Sequence, residues 1–241
     1  MDLCIDIGNT RAKVASIEKE KFSKVHYRDD IDVEWLQDFI DENQIERLIF
    51  SSTRILSDEM REFLDGNDNY FTLNHKLPIP IQNKYGTPET LGKDRIAAAV
   101  GAKSIFPKHP CLVIDAGTCI TTDIVDESGN YLGGSIAPGI NMRLEAMHHF
   151  TKALPKVEMR NFYDLTGSNT EESLLVGAQT ATVLEVDGFI DSYKKRYEDL
   201  KVLIAGGDTP VFESHLKNEI FAAPNLVLTG LYQILKFNAT Q

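Results

Sequence analysis

Nowhere in its 241 residues does the chain hold an apolar run approaching the roughly 20 residues that a membrane-spanning helix needs. It does not open on a basic and then apolar segment of the kind that directs secretion, so a soluble, unprocessed chain is expected. Cysteine is scarce: Cys4, Cys111 and Cys119 are odd in number and show no CxxC or Cys/His ligand spacing. That argues against a disulfide framework and a structural zinc site, and a reducing cytoplasm is the expected compartment. Basic charge is also short, with 25 Lys and Arg against 36 Asp and Glu and a net charge of −11. The cations are dispersed rather than gathered in a stripe, which excludes a nucleic-acid backbone as a natural partner. Two phosphate-binding signatures are missing as well. GxxxxGK[ST] does not occur, and no helix is expected directly after the glycines of the first strand.

What is present is a normal apolar content of 42%, enough for one large or two modest domains with full cores. Periodicity predicts strands at 2–8, 12–18 and 22–28, an amphipathic helix in "VEWLQDFIDEN", a buried strand in "ERLIFSST", a helix over 56–64 and a strand "YFTLN". A Pro-containing loop leads to a helix in "LGKDRIAAAVGAKSIF". From Pro110 the pattern restarts with strands "CLVIDA", "CITTDIVD" and "YLGGSIA". Helical segments from Asn141 and Glu171, a strand "KVLIAGG" and a closing helix "LVLTGLYQILKFN" follow. Three strands and then alternating helices and strands, twice over, describe a duplicated α/β unit with halves at 1–109 and 110–241. Two sheets facing each other across a cleft are the expectation.

Each half opens on a strand that delivers an aspartate to a glycine turn and a hydroxyl: Asp6, Gly8 and Thr10 in "LCIDIGNTRAKV", and Asp115, Gly117 and Thr118 in "LVIDAGTCITTDIV". A single Asp-x-Gly can simply make a hairpin. Two copies at equivalent places point to phosphate-binding hairpins, with backbone amides bared by glycine and a carboxylate able to hold Mg²⁺ through water.

These residues carry a resemblance. "DIGNT" at 6–10, "DAGTCIT" at 115–121 and "AGGD" at 205–208 are similar to the phosphate-1, phosphate-2 and adenosine elements of the acetate and sugar kinase, Hsc70 and actin superfamily. Within it, "LGKDR" at 91–95, "GGSIAPG" at 133–139 and the Thr170 region resemble the type III pantothenate kinases. The resemblance implies duplicated actin-like, ribonuclease H-like domains of βββαβαβα type. It also implies ATP-dependent phosphorylation of pantothenate, the first step of coenzyme A biosynthesis, by a homodimer that uses Mg²⁺ and a monovalent cation, K⁺ or NH₄⁺.

Carried over position by position, the resemblance places ATP on Asp6, Ile7, Gly8, Asn9, Thr10, Arg11, Ala12 and Lys13, on Gly117 and Thr118, and on Gly206 and Gly207. Asp6 becomes the Mg²⁺ aspartate and Asp115 the K⁺ ligand. Asp94 becomes the catalytic base, and Tyr85, Gly92, Lys93, Asp94, Arg95 and Thr170 contact pantothenate. The residue types suit these roles. A helix N-terminus and the neighbouring Arg95 favour an ionised Asp94, and a planar guanidinium matches a carboxylate. Read without the resemblance, the same residues have plainer uses. Asp94 would complement a helix dipole, Arg95 form a surface ion pair, Tyr85 fill a loop, Asp115 be a paired structural aspartate, and Thr170 cap a helix that continues with Glu171 and Glu172. Cys119 stands where the family more often has a smaller residue and is expected to pack. His148 and His149 lack a third ligand at metal spacing. Ile96 replaces the aromatic often found after the GxDR motif. A sugar-type acceptor or a silent nucleotide-binding regulator on the same scaffold are the alternative functions.

Overall fold

The computed structural model describes residues 1–239 apart from Asn9. In chain order the elements are β1 (Asp2–Ile7), β2 (Ala12–Glu18), β3 (Lys21–Phe22), β4 (His26–Arg28), α1 (Val33–Glu42), β5 (Arg47–Ser52), α2 (Asp58–Asp65), β6 (Tyr70–Thr72), β7 (Gln82–Asn83) and α3 (Lys93–Ile105). They continue with β8 (Cys111–Ala116), β9 (Cys119–Val125), β10 (Asn130–Pro138), α4 (Ile140–Phe150), α5 (Thr170–Leu175), α6 (Ala181–Lys194), β11 (Lys201–Ala205), α7 (Thr209–His215), β12 (Phe221–Ala222) and α8 (Leu226–Ala239). The expected third strand is two short pieces, β3 and β4, both paired to β2.

The repeat is visible in the sheets. One has the order β3-β2-β1-β5-β6, the other β12-β11-β8-β9-β10-β7. Reading the second from β10 to β12 reproduces the order of the first, strand for strand. In each, the central strand (β1 or β8) lies parallel to the strand after the first helical crossover (β5 or β11). The β1–β2 hairpin is antiparallel. Parallel neighbours require covered faces, which is why β1 and β8 read as apolar runs broken only by their aspartates.

The chain divides into two compact units that are not contiguous in sequence. Unit 1 comprises Met1–Lys108, Val125–Gly133 and Asn225–Gln241, and unit 2 comprises His109–Ile124 and Gly134–Pro224. The sequence reading divided the chain once, at 109/110, and assigned the closing helix to the second half. The structure places α8 with unit 1, where it lies along α3 and against β1 and β5.

Sequence explains this placement. Helix α8 is apolar almost all round, with Leu226, Leu228, Leu231, Ile234 and Leu235 buried, and needs cover on several faces. At its crossing with α3 two glycines remove the side chains that would hold the backbones apart. A Cβ on Gly230 would stand 1.7 Å from the Ala97 carbonyl oxygen, and one on Gly101 2.4 Å from that of Leu226. On the other face of the first sheet, Leu3, Ile5, Ile7, Leu48 and Phe50 pack with Leu36 and Ile40 of α1 and Met60 and Leu64 of α2. Asp32 and Ser57 cap those two helices through their side chains.

The core of unit 2 is built from Leu112 and Ile114 of β8, Ile204 of β11, Leu144 of α4, Val186 and Ile190 of α6 and Phe212 of α7. Helices α5 and α6 are one helical run joined by a wide π-type turn, Val176–Thr180. Among the described residues no helix is long and apolar enough to cross a membrane.

Candidate functional site

In unit 1, β1 carries Asp6 to a buried position one residue before the turn. In the sheet register Asp6 has Lys13 of β2 on one side and Ser51 of β5 on the other. The Ser51 hydroxyl is fully buried and makes no hydrogen bond among the described residues. The turn is closed by Gly8 N–H donating to the Arg11 carbonyl at 3.2 Å. It is fixed from outside by Arg54, whose Nε donates to the Gly8 carbonyl at 3.0 Å, and by Thr53, whose amide donates to the Ile7 carbonyl at 2.9 Å. Thr10 and Arg11 are exposed at the tip, Ala12 is buried beneath it, and Asn9 lies outside the described residues.

The start of α3 forms a second group in the same unit. Gly92 is the N-cap residue, and the Asp94 carboxylate folds back over the helix start, where Oδ1 accepts from the Arg95 amide at 2.9 Å. This fold is possible because residue 92 lacks a side chain: a Cβ there would stand 2.6 Å from Asp94 Oδ1. Arg95 is only 7% exposed, and its guanidinium carbon sits 5.9 Å from the centroid of the Tyr85 ring. Tyr85 is itself held, its amide donating to Asn83 Oδ1 and its ring lying against Tyr131 and Gly133. Gly133 adopts φ +97°, and a Cβ there would come within 3.1 Å of the Tyr85 ring. Arg95 is therefore not the surface ion-pair residue that its type alone suggested. Lys93 points elsewhere, donating from Nζ to the Ser52 carbonyl at 3.0 Å and tying α3 to the end of β5.

In unit 2 the second Asp-x-Gly turn is built from three stretches. Gly117 N–H donates to the Cys119 carbonyl and Gly139 N–H to the Thr118 carbonyl, both at 3.0 Å. Gly206, at φ +96°, presses its backbone against β8, where a Cβ would stand 2.1 Å from the Ala116 oxygen and 2.6 Å from Asp115 Oδ1. The Asp208 amide donates to the Ala116 carbonyl at 3.0 Å, locking the Gly206–Gly207 turn beside Asp115 and the Gly117–Thr118 turn. Gly139 closes the "GGSIAPG" stretch and is not among the residues that the resemblance assigns to the site. Its role becomes visible only because a Cβ there would lie 2.1 Å from the Gly117 oxygen.

Thr170 also belongs to unit 2 and corrects a sequence expectation. It is the first residue of α5 rather than its cap. Asn169 is the cap, with Oδ1 accepting from the Glu172 amide. Thr170 rims an open depression of about 740 Å³ with Ala153, Pro155, Arg160, Glu171 and Glu172. His148 hydrogen-bonds through Nδ1 with the Leu154 carbonyl oxygen and His149 packs on Phe150, an ordinary helix-end pair. Cys119 is a partly exposed free thiol, and Cys4 is buried with its pKa pushed up by desolvation and the charge of Asp2.

Among the described residues no cluster of three or more His, Cys, Asp or Glu side chains forms a metal cage. A single buried carboxylate at a strand end, Asp6, does fit a Mg²⁺ that arrives with phosphates and keeps most of its waters. Asp115, beside backbone carbonyls, offers the oxygen donors that a monovalent cation takes.

The family described as "Type III pantothenate kinase" matches residues 2–192. A protein of that name from Phocaeicola vulgatus is 40% identical over 239 residues, covering 99% of both chains. Another from Christiangramia forsetii is 40% identical over 247 residues and covers all of both. Among solved structures, a Campylobacter jejuni protein provisionally assigned as a Baf family transcriptional activator superposes with a TM-score of 0.64 at 22% identity, over 99% of this chain and 100% of that one. A ROK hexokinase from Thermus thermophilus superposes at 0.54 with 12% identity, over 98% and 99% of the two chains. The structural matches show that the chain shares its fold with a glucokinase and a ROK hexokinase. The match of family and full-length relatives establishes that the chain belongs to the type III pantothenate kinase family.

Proposed function

We propose that this protein transfers the γ-phosphoryl group of ATP to the primary hydroxyl of pantothenate, giving 4′-phosphopantothenate and ADP at the entry to coenzyme A synthesis. Family membership supports the reaction. The single observation that favours an alcohol acceptor here is the Gly92–Asp94–Arg95–Tyr85 group, which holds a carboxylate folded over a helix start beside a nearly buried guanidinium.

In this reading Asp94 orients the acceptor hydroxyl and takes its proton late, since a loose phosphoryl-transfer transition state needs little base strength. Arg95, held against Tyr85, pairs with the acceptor's carboxylate. Residues 6–13 and the Gly117–Thr118 turn offer amides and hydroxyls to the phosphates, with Gly206 packed on β8 and Gly207, where a Cβ would meet no atom within 4 Å, leaving room for the nucleoside. Lys93 acts by anchoring α3 to the end of β5. Thr170 is an acceptor contact in this reading. Mg²⁺ at Asp6 would neutralise phosphate charge when bound, and Asp115 with nearby carbonyls would hold K⁺ or NH₄⁺. A cytoplasmic homodimer completes the proposal, on the ground of the family resemblance.

The test is ADP release with ATP, Mg²⁺ and K⁺, with and without pantothenate, beside Asp94→Asn. Pantothenate-dependent turnover that the variant loses, and that falls when Na⁺ replaces K⁺, is expected. A folded preparation showing no pantothenate dependence overturns the assignment of the acceptor.

A further inference from the structure

Strand β5 ends on two buried serines, Ser51 and Ser52. Ser52 has a visible use. Its hydroxyl donates to the Arg54 carbonyl and accepts from the Arg54 amide, both at 3.0 Å, closing the turn that leaves the strand. Ser51 has none of this kind: it is fully buried, and its hydroxyl makes no hydrogen bond among the described residues. Burying a hydroxyl without a partner is costly, and an alanine at the same place would avoid that cost, so packing alone does not account for it.

The strand register points to its use. Asp6 has Ser51 as its partner on β5 and Lys13 as its partner on β2. The three side chains therefore form one row on one face of the first sheet, with the carboxylate between the lysine and the serine. Neighbouring strands lie about 4.8 Å apart, so Ser51 and Asp6 come within hydrogen-bond reach once their side chains turn toward each other. This row alternates along β1 and β5 with Ile5, Ile7 and Phe50, which pack with α1 and α2, and so lies on the opposite face.

Ser51 is also kept in step with Asp6, because the end of β5 is pinned to the turn that follows the aspartate. Thr53 donates to the Ile7 carbonyl through its amide at 2.9 Å and its hydroxyl at 3.2 Å, and Arg54 Nε donates to the Gly8 carbonyl. Lys93 Nζ holds the Ser52 carbonyl, one residue further along the strand.

We propose that Ser51 is a positioning residue for Asp6: its hydroxyl donates to the Asp6 carboxylate when the phosphoryl donor is bound and fixes which oxygen is turned toward Mg²⁺. The inference rests on the reading of Asp6 as the Mg²⁺ aspartate and adds to it the group that orients that aspartate. Carboxylates that serve metals are themselves hydrogen-bonded, and loss of such a partner weakens metal affinity. Serine suits the place because a neutral donor leaves the carboxylate its charge, whereas a second cation opposite Lys13 would offset it.

The experiment measures equilibrium binding of ATP to the whole chain, with saturating Mg²⁺ and with a chelator, in the absence of pantothenate. The proteins are wild type, Ser51→Ala, Asp6→Asn and the double variant, with a melting curve for each. The quantity read is the factor by which Mg²⁺ tightens ATP binding. Ser51→Ala should lower that factor about tenfold and leave binding in the chelator unchanged. It should melt no lower than wild type, since it removes a buried hydroxyl that the fold itself does not satisfy. On the Asp6→Asn background the same change should add nothing, because no metal aspartate is left to orient. Ser51→Thr keeps the hydroxyl and should keep the wild-type factor. If its added methyl prevents folding, Ser51→Cys, a weaker donor of similar shape, takes its place and should fall between serine and alanine.

A Ser51→Ala protein with the wild-type Mg²⁺ factor overturns the proposal. So does one that binds ATP equally more weakly with and without Mg²⁺, which would make Ser51 a packing residue of the β5 end. The two readings fail separately. If Asp6→Asn loses the Mg²⁺ effect and Ser51→Ala keeps it, Asp6 remains the metal aspartate and Ser51 does not orient it. An Asp6→Asn protein with the wild-type factor refutes the metal role of Asp6, and this inference with it.

Discussion

Replacing Gly92 by alanine tests whether the Asp94 carboxylate, the proposed base, is placed by a missing side chain. The added Cβ would stand 2.6 Å from Asp94 Oδ1, and ordinary van der Waals contact begins at 3.4 Å, so the oxygen must retreat by about 0.8 Å. The obstructed atom is the end of a side chain, and the backbone at residue 92 has φ −55° and ψ 127°, which alanine adopts without strain. The fold should therefore survive. Alanine is a poorer N-cap residue than glycine, which costs on the order of 0.5–1 kcal/mol and lowers Tm by about 1–4 °C in a chain of this size. Activity should suffer far more. Displacing a reacting group by about 1 Å costs on the order of 100-fold in rate, and removing a general base costs about 100- to 10,000-fold.

The decisive assay is a cycle of kcat for wild type, Gly92→Ala, Asp94→Asn and the double variant, with melting curves for each. If Gly92 acts by positioning Asp94, the double variant should be no slower than Asp94→Asn alone, because there is then no base left to misplace. A Gly92→Ala enzyme within twofold of wild type refutes the reasoning. Losses that multiply in the double variant refute it equally, since they would give Gly92 a role of its own.

Three further outcomes are expected. Gly230→Ala, whose Cβ would lie 1.7 Å from the Ala97 oxygen, meets backbone that cannot step aside, and should cost at least about 1–3 kcal/mol in thermal or denaturant unfolding. An unchanged melting curve would mean that α3 and α8 are free to separate. If Arg95 pairs with the acceptor's carboxylate as proposed, Arg95→Lys should raise the pantothenate KM about tenfold or more with little change in the KM for ATP, because an ammonium would lose both a two-pronged carboxylate contact and the fit over Tyr85. Equal effects on both substrates would contradict that assignment.

The third concerns pH. Burial raises the folded-state pKa of Asp208, so ionising it works against the fold. Its stabilising contribution is complete below the unfolded carboxyl pKa of about 3.9 and is lost as pH rises through the raised folded value. Asp208→Asn should consequently be at least as stable as wild type at pH 7, with the difference closing as the solution is acidified. A variant less stable at neutral pH would show that the carboxylate has a structural partner.

Much was legible locally. Asp6-x-Gly8 and Asp115-x-Gly117 announce themselves because a carboxylate at the end of an apolar strand contradicts the strand's own pattern, and two such contradictions mark a repeat. The helix start at Gly92–Asp94 was visible for a similar reason, a glycine and an acid before a run of alanines. Asn169 and Thr170 are both capping types ahead of Glu171 and Glu172, so composition leaves the cap of α5 ambiguous by one residue, and only the backbone places Asn169 outside the helix. The buried state of Arg95 could not be read, since its cover, Tyr85, is ten residues away and is itself braced by Gly133 and Tyr131.

By itself the sequence determined the strand and helix types, the doubled βββαβαβα order and the family, because these depend on periodicity and on motifs within a few residues of one another. Tertiary structure alone decided that α8 joins unit 1, that Lys93 serves the end of β5, and that Gly206 packs its backbone on β8. Each of these is settled by which atoms approach across distant stretches of chain. A backbone carbonyl 1.7 Å from an absent Cβ, or an ammonium that reaches a carbonyl 41 residues away, leaves no periodic trace in the sequence.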